Sequence, residues 1–294
     1  MRIGFLTNAF VWAGENDVTS IARFAADNGF SFLELGPGIE LSLQRFRQIR
    51  HLVDIDALIY CRNFIDDDPA VAGDFRQELE RRMTFASEIG AKRMILSTGI
   101  SRRLSLPAGG GGKPLLSLEA AVPFLQKTVL RAEELGLQLC LENCPMYRNI
   151  ATSPLMWRAI FERVPSATLG ICYDASHFVW QMIDVYEPIA EFAARIHHLH
   201  IKDTHVDRAK LRDVGILHNT GSERGHEENQ WWTHLIAGDG DIDWPRFLGM
   251  TAQYLPPDVS MSIEMEDYRY EGDPAKVGQS MLIQKKRLER GFAP

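Results

Sequence analysis

Glu142, Asp174, His200 and Glu264 each stand at the end of an apolar run in the sequence, and each offers an oxygen or nitrogen that can bind a metal. In Leu139-Cys140-Leu141-Glu142 and Met261-Ser262-Ile263-Glu264 the acid follows residues that belong in a core. Burying such a carboxylate is costly unless it is paired or coordinated. Taken singly, each could be a strand-end acid held by an arginine or a helix N-terminus. Four on successive runs predict one metal centre. Three carboxylates and one imidazole form a hard donor set that suits Mn2+ first, then Mg2+ or Co2+, in six-coordination, with two positions left for substrate oxygens or water; Zn2+ is less suited. His198 and His200 share a face because strand side chains alternate, so spacing alone does not separate them, while His197 points the other way. The role expected of His198 is a hydrogen-bonded residue one step deeper.

These residues need a scaffold that brings strand ends together. Eight short apolar runs alternate with longer amphipathic stretches: Arg2 to Thr7, Ser31 to Leu35, Ile55 to Tyr60, Arg93 to Ser97, Leu137 to Glu142, Thr168 to Tyr173, Arg195 to Ile201 and Val259 to Glu264. That is the pattern of repeated βα units. Asp74 to Ile89 and Leu118 to Leu135 place apolar residues three and four apart, and Gly90 and Gly136 follow as left-handed caps. No G-x-G-x-x-G fingerprint follows the first run, which disfavours an open doubly wound sheet. The expected fold is α/β, a single (β/α)8 TIM barrel over residues 1–294. Two connections are long, about 100–117 with Gly109 to Gly112 in a row, and about 202–243, which holds Trp231 and Trp232; both follow strands, where active-site walls are built. The glycine run reads as a hinge, since Lys113-Pro114 does not open a phosphate-binding helix.

The chain of 294 residues is 45% apolar and 24% charged, as expected of a globular protein, and its formal net charge of -7 argues against a nucleic-acid partner. No apolar stretch reaches the roughly 18 residues that a membrane span needs, and the start of the chain does not read as an export signal. A cytoplasmic protein with no membrane partner is expected. The cysteines, Cys61, Cys140, Cys144 and Cys172, lack C-x-x-C spacing and read as reduced, buried thiols.

The segments Leu141-Glu142-Asn143-Cys144-Pro145-Met146, Tyr173-Asp174-Ala175-Ser176-His177-Phe178, His198-Leu199-His200-Ile201-Lys202-Asp203 and Ile263-Glu264-Met265-Glu266-Asp267 resemble those of the xylose isomerase-like TIM-barrel family of sugar phosphate isomerases and epimerases. Gly238 to Trp244 resembles the family's segment before a late helix, and the likeness covers nearly the whole chain. The resemblance implies that Glu142, Asp174, His200 and Glu264 hold one divalent metal, which selects His200 over His198. It implies a substrate contact for His177, in the D-x-x-H element that begins at Asp174. Relatives carry a substrate-binding Arg shortly after the ligand His; here Lys202 and Asp203 come first and Arg208 is displaced, so these three become the expected substrate contacts in that stretch. Arg62-Asn63-Phe64 lacks the His that relatives carry near the third strand. The partner implied is a small sugar or sugar-like molecule, and pairing into a homo-oligomer fits the family.

The reaction expected is isomerisation or epimerisation next to a carbonyl, through a metal-stabilised enediolate, with Glu142 and Glu264 as bases on opposite faces. Glu266, which shares a face with Glu264, is expected to support the ligands together with His198. The same opening step would serve a lyase or dehydratase acting on an oxidised sugar, an inosose or a C-glycoside. A more remote alternative is an apurinic-site endonuclease, for which His205, His218, His226 and His234 would supply further ligands; a sugar-binding barrel without catalysis is a last one.

Overall fold

The computed structural model describes residues 2–101, 114–145, 149–216 and 230–292. Among these lie ten strands: β1 Arg2–Leu6, β2 Phe32–Leu35, β3 Asp54–Ile59, β4 Arg93–Leu96, β5 Gln138–Glu142, β6 Leu169–Asp174, β7 Ile196–Ile201, β8 Asp203–Val206, β9 Trp232–Leu235 and β10 Ser260–Ile263. Strands β1 to β7 and β10 close a barrel in the order β1-β10-β7-β6-β5-β4-β3-β2. They are the eight apolar runs of the sequence, displaced by no more than one residue at either end. The chain is an eight-stranded α/β TIM barrel. Near-continuous apolar strands are what a parallel sheet covered by helices requires, and β6 is buried at all six positions.

The chain packs as two contact-dense units. The first comprises Met1–Asp54, Asp174–Ala194 and His198–Pro294. In it β1 pairs with β2 and with β10, and β10 pairs with β7 in a register that sets Ser260 beside His198 and Ser262 beside His200. Phe5 of β1 packs edge-on against Phe30 at 4.9 Å and Phe24 at 5.9 Å between ring centroids, which seats the helix Val18–Asp27 on the sheet. Asp17 starts that helix by accepting a hydrogen bond from the Thr19 amide.

The second unit comprises Ile55–Tyr173 and Arg195–His197. Its strands β3, β4, β5 and β6 pair in sequence, with Leu96 beside Leu141 and Glu142 beside Cys172. Asn63 ties the turn after β3 to the turn after β4: its side-chain oxygen accepts from the Ile100 amide at 3.0 Å and its amide donates to the Ile100 carbonyl at 3.1 Å. The Asn at this position is therefore a loop tie.

The helix expected from Asp74 begins instead at Pro69, because Asp68 accepts from the Ala70 amide and Pro69 supplies a first turn that needs no amide donor. It ends at Ile89, with Gly90 at φ 81°. The next helix begins at Pro114 rather than Leu118 and ends at Leu135, with Gly136 at φ 69°. The first long connection is shorter than its sequence suggested, and the glycine run lies outside the described residues. The second, 202–243, carries regular structure in its described residues. β8 and β9 pair antiparallel with Thr204 opposite His234, and Asp207 caps a helix Arg208–Val214. His218 and His226 lie outside the described residues. No helix among the described residues is long and apolar enough to cross a membrane.

Candidate metal centre

Asp174 ends β6, His200 is the fifth residue of β7, and Glu264 follows the last residue of β10. The Asp174 carboxylate also starts the helix Ala175–Trp180, accepting from the Ser176 amide at 2.8 Å. This fixes one oxygen by the same turn that ends the strand. One ligand atom from each of Glu142, Asp174, His200 and Glu264 lies within 4.8 Å of the others, and all four side chains are buried.

A cation already sits among these acids. Lys202 is 1% exposed, and its Nζ lies 2.8 Å from Glu264 Oε2, 2.8 Å from Glu266 Oε2 and 3.2 Å from Asp174 Oδ2. So many carboxylates cannot be buried together without positive charge. Burial works against ionisation of Asp174, but the charges of Lys202 and His200 hold its pKa below the usual range. Burial likewise opposes ionisation of Glu266, yet Lys202 and His234 bring its pKa down to about 2. At Glu264 burial prevails over Lys202 and His200 and pushes the pKa up to about 7.

Glu34 in β2 went unremarked in the sequence. It is fully buried, and its Oε2 faces His198 Nε2 at 2.8 Å while its Oε1 faces His200 Nε2 at 3.0 Å. Burial alone would raise its pKa, but His200 and His198 hold it well below the carboxylate range. Glu34 therefore stays an acceptor, and we assign His200 Nε2 as the donor to it. That leaves Nδ1, 3.2 Å from Glu264 Oε2, as the nitrogen that could ligate a metal. His198 shares Glu34 at the deeper position. The signal was available: Phe32-Leu33-Glu34-Leu35 places an acid inside an apolar strand. Replacing Glu34 by Gln, which removes the anionic acceptor, is expected to weaken Mn2+ binding by about 10- to 100-fold, as measured by isothermal titration.

Glu142 has its own supports. The Cys61 thiol donates to Glu142 Oε2 at 3.3 Å, and Asn149 Nδ2 donates to the Glu142 carbonyl. Burial and the charge of Glu142 raise the Cys61 pKa well above its usual value, so the thiol keeps its proton and remains a donor. All four cysteines are buried and free of disulfides.

His177, buried in the helix that Asp174 caps, has Nε2 3.3 Å from Asp174 Oδ2. Its ring meets that of His234 edge-on, with centroids 5.3 Å apart. Burial and the charge of Lys202 push both imidazoles well below their usual pKa, so they are neutral at pH 7. The sequence singled out His234 only as one histidine of a polar stretch.

Asp203 and Arg208 stand elsewhere. The Asp203 carboxylate accepts from the amides of Thr204 at 2.8 Å, Ile242 at 3.2 Å and Gly238 at 3.0 Å, and from Trp244 Nε1 at 2.7 Å. It anchors the Gly238-to-Trp244 segment, which packs so closely that a Cβ on Gly240 would come within 2.3 Å of Asp203 Oδ1. Arg208 is exposed at the start of its helix. The geometry gives Asp203 a structural task in place of the expected substrate contact, and it leaves Arg208 outside the contacts of the carboxylate cluster.

The donor set fits a divalent metal: hard oxygens, one imidazole whose Nδ1 faces the carboxylates, and an excess of negative charge that recruits Lys202. The chain matches the xylose isomerase-like TIM barrel family over residues 13–286 and belongs to it. A ketose 3-epimerase of Arthrobacter globiformis is 24% identical, covering 70% of this chain and 73% of the epimerase. Among solved structures, the IolI protein with a bound zinc atom superposes with a TM-score of 0.75 at 17% identity, covering 99% of this chain and 98% of IolI. A probable 3-DHS dehydratase, AsbF of Bacillus anthracis, superposes with a TM-score of 0.73 at 14% identity, covering 98% and 99%.

Proposed function

We propose that this chain is a divalent-metal-dependent isomerase or epimerase that moves a proton next to the carbonyl of a ketose or keto-polyol. The reading rests above all on the four buried ligand atoms within 4.8 Å of one another. The membership in the family and the likeness to a ketose 3-epimerase support it. A divalent cation held by Glu142, Asp174, His200 and Glu264, Mn2+ by preference, would polarise the carbonyl and favour the enediolate charge.

The proton itself is handled by the chain. Glu264, whose pKa burial raises to about 7 in the metal-free protein, is the first base, a carboxylate that a bound metal would keep ionised and ready to accept the substrate proton. Its Oε2 is engaged by Lys202, so we assign the transfer to Oε1. Glu142, whose Oε2 accepts from the Cys61 thiol, is the second base, acting on the opposite face of the substrate. His177, neutral and buried, binds a substrate hydroxyl, and Glu34 keeps His200 in the tautomer that ligates. Lys202 balances the charge of Glu264 and Glu266 and is placed to meet a substrate oxyanion.

The test is incubation of the Mn2+-loaded protein with a panel of ketoses in D2O. Deuterium entering the carbon next to the carbonyl supports the reading; no exchange with any ketose or keto-polyol overturns it. Loss of water from the substrate would instead make the protein a dehydratase. Metal binding has its own pH signature. Below pH about 7 Glu264 must give up its proton for the ligand set to be complete. Mn2+ affinity is therefore expected to rise with pH up to about 7 and then level off, which titration calorimetry across a pH series would follow.

A further inference from the structure

Among the described residues His234 occupies an unusual place. It lies on β9, within the hairpin inserted after β7, and is fully buried. Its Nδ1 is 2.8 Å from Thr204 Oγ1, the residue directly opposite it on β8, whereas its Nε2 has no hydrogen-bond partner. A buried imidazole nitrogen without a partner is costly and calls for an explanation. Nε2 points toward the acids: Glu266 Oε2 lies 3.9 Å away, too far for a direct hydrogen bond. The neighbouring His177, edge-on at 5.3 Å between centroids, likewise has no hydrogen-bond partner at either ring nitrogen. Behind His234, Trp232 packs at 4.9 Å and stacks in turn on Trp180 at 4.7 Å and 8°, a rigid apolar wall that fixes the ring.

A single hydroxyl group could bridge these two atoms. We assign Thr204 as the donor to Nδ1, which puts the His234 proton on Nε2, facing Glu266. A hydroxyl oxygen about 2.8 Å from both His234 Nε2 and Glu266 Oε2 would see them about 90° apart, within reach of one accepted and one donated hydrogen bond. Lys202 already holds Glu266 Oε2 at 2.8 Å, so the acceptor is anchored.

We propose that His234 and Glu266 form a hydroxyl-binding subsite, beside His177, that positions a polyhydroxylated substrate by a hydroxyl remote from the reacting carbonyl. His234 is thus a specificity-determining residue contributed by the β8–β9 hairpin. The proposal rests on the reading of the site as one for a ketose or keto-polyol. It predicts that longer ketoses, which carry a remote hydroxyl, are held better than dihydroxyacetone, which has none.

The experiment is a fluorescence titration, using the Trp180–Trp232 stack as reporter, of the Mn2+-loaded protein with dihydroxyacetone, erythrulose, ribulose and fructose. The wild type is expected to bind the longer ketoses at least tenfold more tightly than dihydroxyacetone. His234→Leu is expected to erase that difference while leaving Mn2+ affinity unchanged. His234→Gln, which keeps an amide donor near the Nε2 position, is expected to restore part of it. Three results would overturn the proposal: no ketose binds to the wild type, the His234→Leu variant keeps the length preference, or it loses dihydroxyacetone and the longer ketoses equally. Deuterium exchange run in parallel keeps the two readings apart. Ketose binding that depends on His234 without exchange would uphold the subsite and refute the isomerase, and exchange that ignores His234 would do the reverse.

Discussion

Glu264→Gln is expected to slow deuterium exchange into a ketose by about 10²- to 10⁴-fold at saturating Mn2+, the range ascribed to a positioned general base. Gln keeps the shape and one oxygen donor but cannot accept a proton near neutral pH. Glu264 is singled out because in the metal-free protein burial outweighs its cationic neighbours and raises its pKa to about 7, while Glu266, two residues on and bonded to the same Lys202, is brought down to about 2. Two acids on one lysine thus divide into a proton carrier and a permanent anion. Glu266→Gln is accordingly expected to cost much less in exchange rate than Glu264→Gln. Glu142→Gln is expected to abolish exchange at one face, so that return of the substrate proton continues while inversion stops. Metal affinity, measured separately for each variant, separates loss of a ligand from loss of a base.

Lys202→Met is expected to destabilise the metal-free protein by about 3–5 kcal/mol, the cost of leaving buried charges without their partner. Lys202 Nζ lies within 3.2 Å of three carboxylates, each belonging to a side chain no more than 16% exposed. With the lysine gone, Glu264, Glu266 and Asp174 can lower their mutual repulsion only by taking up protons or a metal. Thermal unfolding with and without Mn2+ should reveal this: the stabilisation given by saturating Mn2+ should be larger in Lys202→Met than in the wild type. Equal stabilisation in both would mean that the lysine and the metal do not answer the same charge.

The strands were legible because burial on both faces leaves an unmistakable mark on composition, and the strand-end acids stood out against it. Asp174, Glu264 and Glu142 could be named for that reason, whereas His200 was separated from His198 only by the family resemblance; Glu34 yields to the same argument once an acid inside a strand is weighed as heavily as one at its end. Helix starts were less legible: Asp68-Pro69 begins a helix by capping, without any apolar periodicity to announce it. Asp203 was hidden by proximity. It lies three residues from His200, yet its carboxylate turns toward the amides of Gly238 and Ile242, partners more than 30 residues away that no local pattern discloses. His234 was equally hidden, because its meaning comes from a hairpin that sets it opposite Thr204 and turns its ring toward Glu266. Cys61 read as a reduced thiol, and its hydrogen bond to Glu142 is set by tertiary structure.

The most direct test of the metal centre is anomalous diffraction at the manganese edge from crystals grown with Mn2+. One peak per chain is predicted, bound by Glu142, Asp174, Glu264 and His200 through Nδ1, with His200 Nε2 still on Glu34. A peak coordinated by other side chains, or no peak among these four at saturating Mn2+, would contradict the account.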